Sequence, residues 1–488
     1  MRPPNSPLVI SFLMIASLEF ILVASAVQAQ GANHNGGNGG DNIRCASGKP
    51  EVAILACTHI IEDKRENDDN RAIALRNRAF HYQQTGDLNK AIADYTTALK
   101  RADNPVMRAK THMNRGLMYF QKGDEAGALS DYDAAIGLDS KLISAYINRA
   151  TIFIRRGDDD RAIADLSEAN ALNPKDAEVY ASRGSIYAHR GDNQRAVEDF
   201  GKAIELNPKN AVAWRSRGFA YRAMGDKERA AADSAEAIRL DPNMVNAHLD
   251  MGLSRQASGN AAQAIEEFDK AIALTPRNAQ AIKARGDAYL AQGESDRAIQ
   301  DYSDALSIDP AMHSALMNRG VAYLKKSGWD AAIADFTRAI ALDPKQYGAY
   351  LNRGQAFEAK RDHGQAIADF TQALQINPAA VDAYRHRAFS RQAAFDSQGA
   401  IEDYSHVIEV STKDAEAFRG RGLAYLHLHE HNAAIADLTA AIAINPTDVR
   451  AYRYRALAYE GKNDLRHEDL DDATVRRLDP KGQIDARH

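Results

Sequence analysis

Four residues near the C-terminal end invite a metal ion: His427, His429, Glu430 and His431. His427 and His431 are spaced to meet on one helical turn. The run nevertheless lacks the His-Glu-x-x-His order in which two histidines hold zinc and the glutamate between them acts as base. It also falls where a turn between helices is expected, so neither a metal nor a cofactor is assigned. Arginine and aspartate recur in a pattern that resembles serial acid–base pairs. Arg-Gly or Arg-Ala stands at Arg78, Arg115, Arg149, Arg183, Arg217, Arg285, Arg319, Arg353, Arg387, Arg421 and Arg455, with an Asp sixteen residues after each. A group found in every segment belongs to the segment rather than to a catalytic centre. No nucleotide-binding P-loop, dinucleotide glycine motif or Gly-x-Ser-x-Gly is present, and no long non-repeat stretch remains to hold an active site. The sequence points away from an enzyme.

The chain has 488 residues, 45% hydrophobic and 26% charged, the mix of an ordinary folded protein. Its formal charge of −5 gives no general attraction to a phosphate backbone, so a nucleic-acid partner is not expected. Periodicity decides the architecture. After one interval of 37 residues, each Arg step is 34, and Met251-Gly252 fills the one place without Arg, its acid being Glu267. Prolines keep the same register at Pro174, Pro208, Pro242, Pro276, Pro310, Pro344, Pro378, Pro446 and Pro480.

Within residues 177–210, Tyr180, Gly184 and Tyr187 make one helical stripe, and Ala196, Phe200 and Ala203 make a second. Gly191 suits a left-handed helix end, Asp192 an N-cap, and Pro208 a break before the next unit. One such hairpin cannot bury its own apolar faces; stacked on its neighbours it can. Twelve units follow, 72–108 and then eleven of 34 residues to 482. The seven interhelical glycines end at Gly293; Ser327, Arg361, Phe395, His429 and Asn463 replace them, so those later turns are expected to differ in shape. Glu468, Asp472 and Arg476 give the last helix a polar outer face, as a terminal cap requires. The Arg and Asp registers predict a repeated ion pair between the two helices of each unit.

Tyr180, Gly184, Tyr187, Ala196, Phe200, Ala203 and Pro208 resemble the tetratricopeptide repeat position for position, and equivalents recur from Ala72 to Gly482. The resemblance implies an all-α, right-handed superhelical solenoid of antiparallel helix pairs whose first helices line a concave groove for protein or peptide partners. By that resemblance the groove positions include Asn77, Asn114, Asn148, Asn318 and Asn352, whose amides suit a peptide backbone. The Asn ladder is broken at Ser182, Ser216, Asp250 and Ala284, and again at His386, Gly420 and Tyr454. Arg385, Arg419 and Arg453 form a second row that would hold carboxylates or phosphates, unless Asp382 and Glu416 neutralise two of them along the helix. The carboxylate clamp of some relatives needs Asn where this chain has residues such as Phe80, Leu117, Phe219, Phe389 and Leu423, so that clamp is absent. Phe80, Phe219 and Phe389 are apolar groove candidates instead.

At the N-terminus, Arg2 precedes an apolar stretch from Leu8 to Val27 with small residues placing a cleavage site after Ala26 or Ala29. Residues 1–29 read as a signal peptide, implying a periplasmic or secreted protein with no membrane insertion after cleavage. The alternative is an uncleaved anchor, which Glu19 disfavours. Residues 30–43 are rich in Gly and Asn and read as a flexible tether. Residues 44–71 form a capping segment with a helix starting near Pro50, in which Cys45 and Cys57 are expected to be joined, two buried free thiols being the alternative. The repeats occupy 72–482 and a short tail 483–488. The functional expectation is a non-catalytic scaffold that binds a partner in its groove; the alternative is a structural or oligomerising envelope protein that uses its convex face and ends.

Overall fold

The computed structural model describes residues 39–482. The segment read as a signal peptide, the tether up to residue 38 and the tail from 483 lie outside the described residues. Gly39–Ser47 is helical, so the last five residues assigned to the tether belong to the first helix of the cap.

The described residues contain 26 α-helices and no strand, and fall into two compact units, one ending at Ser258 and one starting at Gly259. In the first, helices Gly39–Ser47 and Pro50–Glu62 pack on Asp68–Gln84, the first helix of five hairpins that end at Leu240; Val245–Ala257 completes the unit. In the second, Ala261–Leu274 precedes six hairpins, from Ala279–Ala291 with Ser295–Ile308 to Val449–Glu460 with Leu465–Leu478. In both units helices adjacent in sequence are adjacent in space, which is the repeat fold expected from the period.

Packing follows the two stripes. Tyr187, Ala196 and Phe200 share a buried cluster with Ala220 of the next hairpin, so each hairpin completes its core on a neighbour. Close approach of the paired helices requires the glycine of the first stripe: a Cβ at Gly354 would lie 2.6 Å from the Phe370 ring. The interval of 37 has a local cause. Pro105–Gln121 runs for 17 residues, capped by Asn104 and started by Pro105, so the additional residues extend that helix and leave the fold unchanged.

The interhelical turns correct one expectation. Ser327, Arg361, Phe395, His429 and Asn463 adopt φ of 57, 64, 65, 61 and 56°, the left-handed conformation of the earlier glycines. The chain-reversing hydrogen bond is the same, from Asp192 N to Tyr187 O at 2.9 Å and from Asp396 N to Arg391 O at 2.8 Å. Helix packing on both sides fixes the turn, and non-glycine residues bear strain of about 1–2 kcal/mol each.

Cys45 and Cys57 are bonded (S–S 2.13 Å) and buried with Ala56, Ile60 and Ala74, holding the first two helices together. His81 Nε2 lies 3.1 Å from the Cys45 carbonyl oxygen and anchors this cap on the first repeat.

Two outcomes follow. Phe395→Gly, at a side chain 89% exposed, is expected to raise stability by about 0.5–1 kcal/mol in chemical denaturation. Cys45→Ala/Cys57→Ala removes a short covalent loop typically worth about 2–4 kcal/mol; amide exchange should accelerate within 39–84 and stay unchanged in 279–482.

Candidate functional site

The repeated ion pair is present in all eleven units that carry Arg. The guanidinium Nε and Nη2 donate to both oxygens of the Asp sixteen residues on, at 2.7 to 2.9 Å. A third contact was missed in the sequence. Nη1 reaches back to the second helix of the preceding repeat: Arg183 to Ser167 Oγ (2.9 Å), Arg319 to Ser303 Oγ (2.8 Å), Arg353 to Thr337 Oγ1 (3.0 Å), Arg455 to Thr439 Oγ1 (3.0 Å). Arg149 and Arg285 use Asp133 and Asp269 there, each at 2.6 Å. The signal was legible as a Ser, Thr or Asp two residues after the paired Asp. Arg217 meets Gly201 at that place, and its guanidinium lies 4.9 Å from the Trp214 ring centre.

Every one of these guanidinium groups except that of Arg217 therefore ties three helices, and the hydrogen bonds to Asp raise the pKa values of Arg183, Arg319 and Arg353 above normal. At Asp131, burial raises the carboxyl pKa, but hydrogen bonds from Arg115 and His112 outweigh it and hold the group below the ordinary range. In the repeat without Arg, Met251 is buried, Glu267 accepts from Lys270 Nζ (3.0 Å), and the neighbouring Asp250 takes Arg215 Nε (2.8 Å) and Arg222 Nη2 (3.1 Å). These charges are structural.

The groove candidates are placed unevenly. All five asparagines are half-buried. Asn77 Nδ2 lies 3.8 Å from Cys45 Sγ, Asn148 Nδ2 3.8 Å from Met113 Sδ, and Asn318 Nδ2 donates to Asp287 Oδ1 at 2.8 Å. That carboxylate also accepts from Tyr302 and Lys283, so Asn318 is committed within the chain. Arg385, Arg419 and Arg453 are each paired with an aspartate at the edge of the following repeat or the chain end: Asp414 (2.6 Å), Asp448 (2.6 Å) and Asp479 (3.1 Å). Asp382 is 3.7 Å from Arg385, while Glu416 pairs with neither arginine. Asp414 and Asp448 also cap the next helices, a double duty that sequence spacing did not reveal. Phe80 is half-buried beside His81, Phe219 lies under Arg222, and Phe389 is 47% exposed. His427 closes one helix, His429 sits in the turn and His431 opens the next; the described residues bring no three potential ligands together around a metal position.

A cavity of about 260 Å³ lies on the first-helix face of the second unit. Glu358, Arg385, His386, Phe389 and Gln392 form one side, Arg419, Gly420 and Leu423 the middle, Arg450 and Tyr454 the other side, and Tyr404 of a second helix reaches it from below. Glu358 accepts from Ser390 Oγ (3.1 Å) and faces His386 Nδ1 (3.3 Å). Burial raises the Tyr404 pKa, so its hydroxyl stays protonated.

Profiles of the tetratricopeptide repeat match residues 77–142, 249–313 and 317–381, and further repeat profiles match 143–176, 184–225 and 211–244, together more than half of the sequence. The chain belongs to the tetratricopeptide repeat family. That membership makes it a protein-interaction scaffold in kind. A tetratricopeptide repeat protein from Parabacteroides merdae aligns at TM-score 0.43 and 20% identity over 51% of this chain and 99% of that one. The C-terminal part of a repeat protein from Cytophaga hutchinsonii gives 0.45 and 18% over 51% and 99%, and yeast Tom70 gives 0.36 and 16% over 84% and 100%. No curated protein matches the sequence.

Removing one partner of a clamp leaves a buried charge unpaired. Asp335→Ala should lose about 3 kcal/mol in urea unfolding. Arg319→Met/Asp335→Glu, which copies Met251 and Glu267 and leaves Arg338 where Lys270 stands, should lose less. Because the Asp131 carboxyl is held low, its stabilisation is complete above about pH 4 and is lost as pH falls through its depressed value. Stability of Asp131→Asn should fall less than that of the native chain between about pH 5 and pH 3.

Proposed function

We propose that this tetratricopeptide repeat protein is an exported, non-catalytic scaffold that takes a protein or peptide partner on its first-helix face. The observation that carries this reading is the cavity between Glu358 and Tyr454. Consecutive first helices supply its walls, and apolar side chains line it, Leu423 and Phe389, the latter 47% exposed. Exposed apolar side chains gathered at a cavity are what a binding surface uses. The buried ion clamps take no part, since their donors and acceptors are spent inside the repeat.

Export rests on the N-terminal sequence, and the Cys45–Cys57 bond is compatible with an oxidising compartment. Among the described residues no helix is long and apolar enough to cross a membrane. The second reading, self-assembly through the ends, has Leu465 and Leu470 in its favour, both exposed on the final helix.

A photo-crosslinking residue at Phe389, compared with one at the exposed second-helix position Asp304, tests these readings in native cells. A foreign chain captured from 389 and not from 304 supports the groove. Adducts only between copies of this chain support self-assembly and reject it. An alkaline phosphatase fusion at the C-terminus should be active if the chain is exported and inactive if it is retained in the cytoplasm.

A further inference from the structure

The residue before Arg occupies the same place on each first helix, and in three consecutive repeats it is His386, Gly420 and Tyr454. The middle one has no side chain, and the cavity opens there. A Cβ at Gly420 would stand 2.4 Å from Tyr404 Cζ and 2.7 Å from its hydroxyl oxygen, so the tip of Tyr404 already occupies the room a side chain would need. A repeat two units earlier shows the filled alternative, with Asn352 and Phe336 at the places that Gly420 and Tyr404 hold here.

Tyr404 thus brings a hydroxyl to the cavity beneath Gly420. The Tyr404 hydroxyl is 3.5 Å from Gln392 Oε1, long for an O–H···O bond, and so has capacity for a closer partner. One wall is rigid, because the His386 ring stacks on Phe370 at 5.5 Å and faces Glu358. Phe389 and Leu423 add apolar surface to the lining. The charges around the mouth are not equivalent. Arg385 and Arg419 are balanced by Asp414 and Asp448, whereas Arg450 and Glu416, in adjacent repeats, have no ion pair among the described residues.

We propose that the cavity beside Gly420, over the tip of Tyr404, is an anchor subsite for a Trp or Tyr side chain of an extended peptide, flanked by an acidic residue directed to Arg450 and a basic residue directed to Glu416. A ring with one polar tip matches a cavity that sets Phe389 and Leu423 beside the Tyr404 hydroxyl, and such rings supply much of an interface's binding energy. The two unpaired charges fix the direction of the chain by complementarity. This inference rests on the groove reading above and names the chemistry of its occupant.

The test uses the full chain and two fluorescent synthetic peptides of otherwise Gly-Ser sequence, one with Lys-Trp-Asp at its centre and one with Asp-Trp-Lys. One order should bind about tenfold more tightly than the other in anisotropy titrations. Glu416→Arg/Arg450→Glu should reverse the preference. Gly420→Asn/Tyr404→Phe, a combination the chain already folds at Asn352 and Phe336, should weaken both peptides about tenfold or more with an unchanged thermal midpoint. Binding of neither peptide, equal binding of both, or undiminished binding to the filled variant overturns the proposal. Partner crosslinks from position 389 that persist in the filled variant would reject the anchor alone and leave the groove reading standing; a native chain that captures no partner there would reject the groove itself.

Discussion

The interaction on which the architecture depends is the guanidinium held between two second helices. A bidentate Arg–Asp pair fixes the register of the two helices within a hairpin, because both oxygens and two nitrogens must align at once. The third donor fixes the register between hairpins. Hydrophobic stripes bring helices together but tolerate sliding; directional bonds to Ser167, Thr337 or Thr439 do not. Desolvation of the aspartates is offset because each lies within a complete set of donors, the condition under which a buried pair is tolerable.

This division of labour explains why other positions vary. Given a hairpin locked by its clamp and by the close fit of Gly354 on Phe370, the reversing turn must be left-handed whichever residue stands there. Arg361 and Phe395 accept that conformation under the same constraint that Gly191 meets without strain. The residues that precede each Arg are equally outside the clamp, which is why that position holds Asn, Ser, Asp, Ala, His, Gly or Tyr while the Arg beside it hardly changes.

The fold and the ion pairs were legible because they recur: Arg183 and Asp199 announce themselves eleven times over, and Tyr187 with Phe200 does so by helical spacing. The cavity was not legible, since it arises from a single departure. Gly420 reads as one more break in an asparagine ladder until the ring of Tyr404 is seen to fill the space beneath it. The Arg385, Arg419 and Arg453 row was read as available charge because its partners lie 26 to 29 residues away, across a hairpin, where the search for helical neighbours at three or four residues does not reach. The turns were misjudged for a related reason: residue preference at Phe395 is weaker than the packing on either side.

The reach of the guanidinium has one more consequence. Each Arg looks back by a single hairpin and no further, so the seams inside a compact unit, that of Arg217 and Gly201 apart, present nearly the same hydroxyl or carboxylate on one side and the same cation on the other. Excising or duplicating 34 residues at such a seam rejoins like with like. Length is then a quantity that recombination between sister segments can adjust.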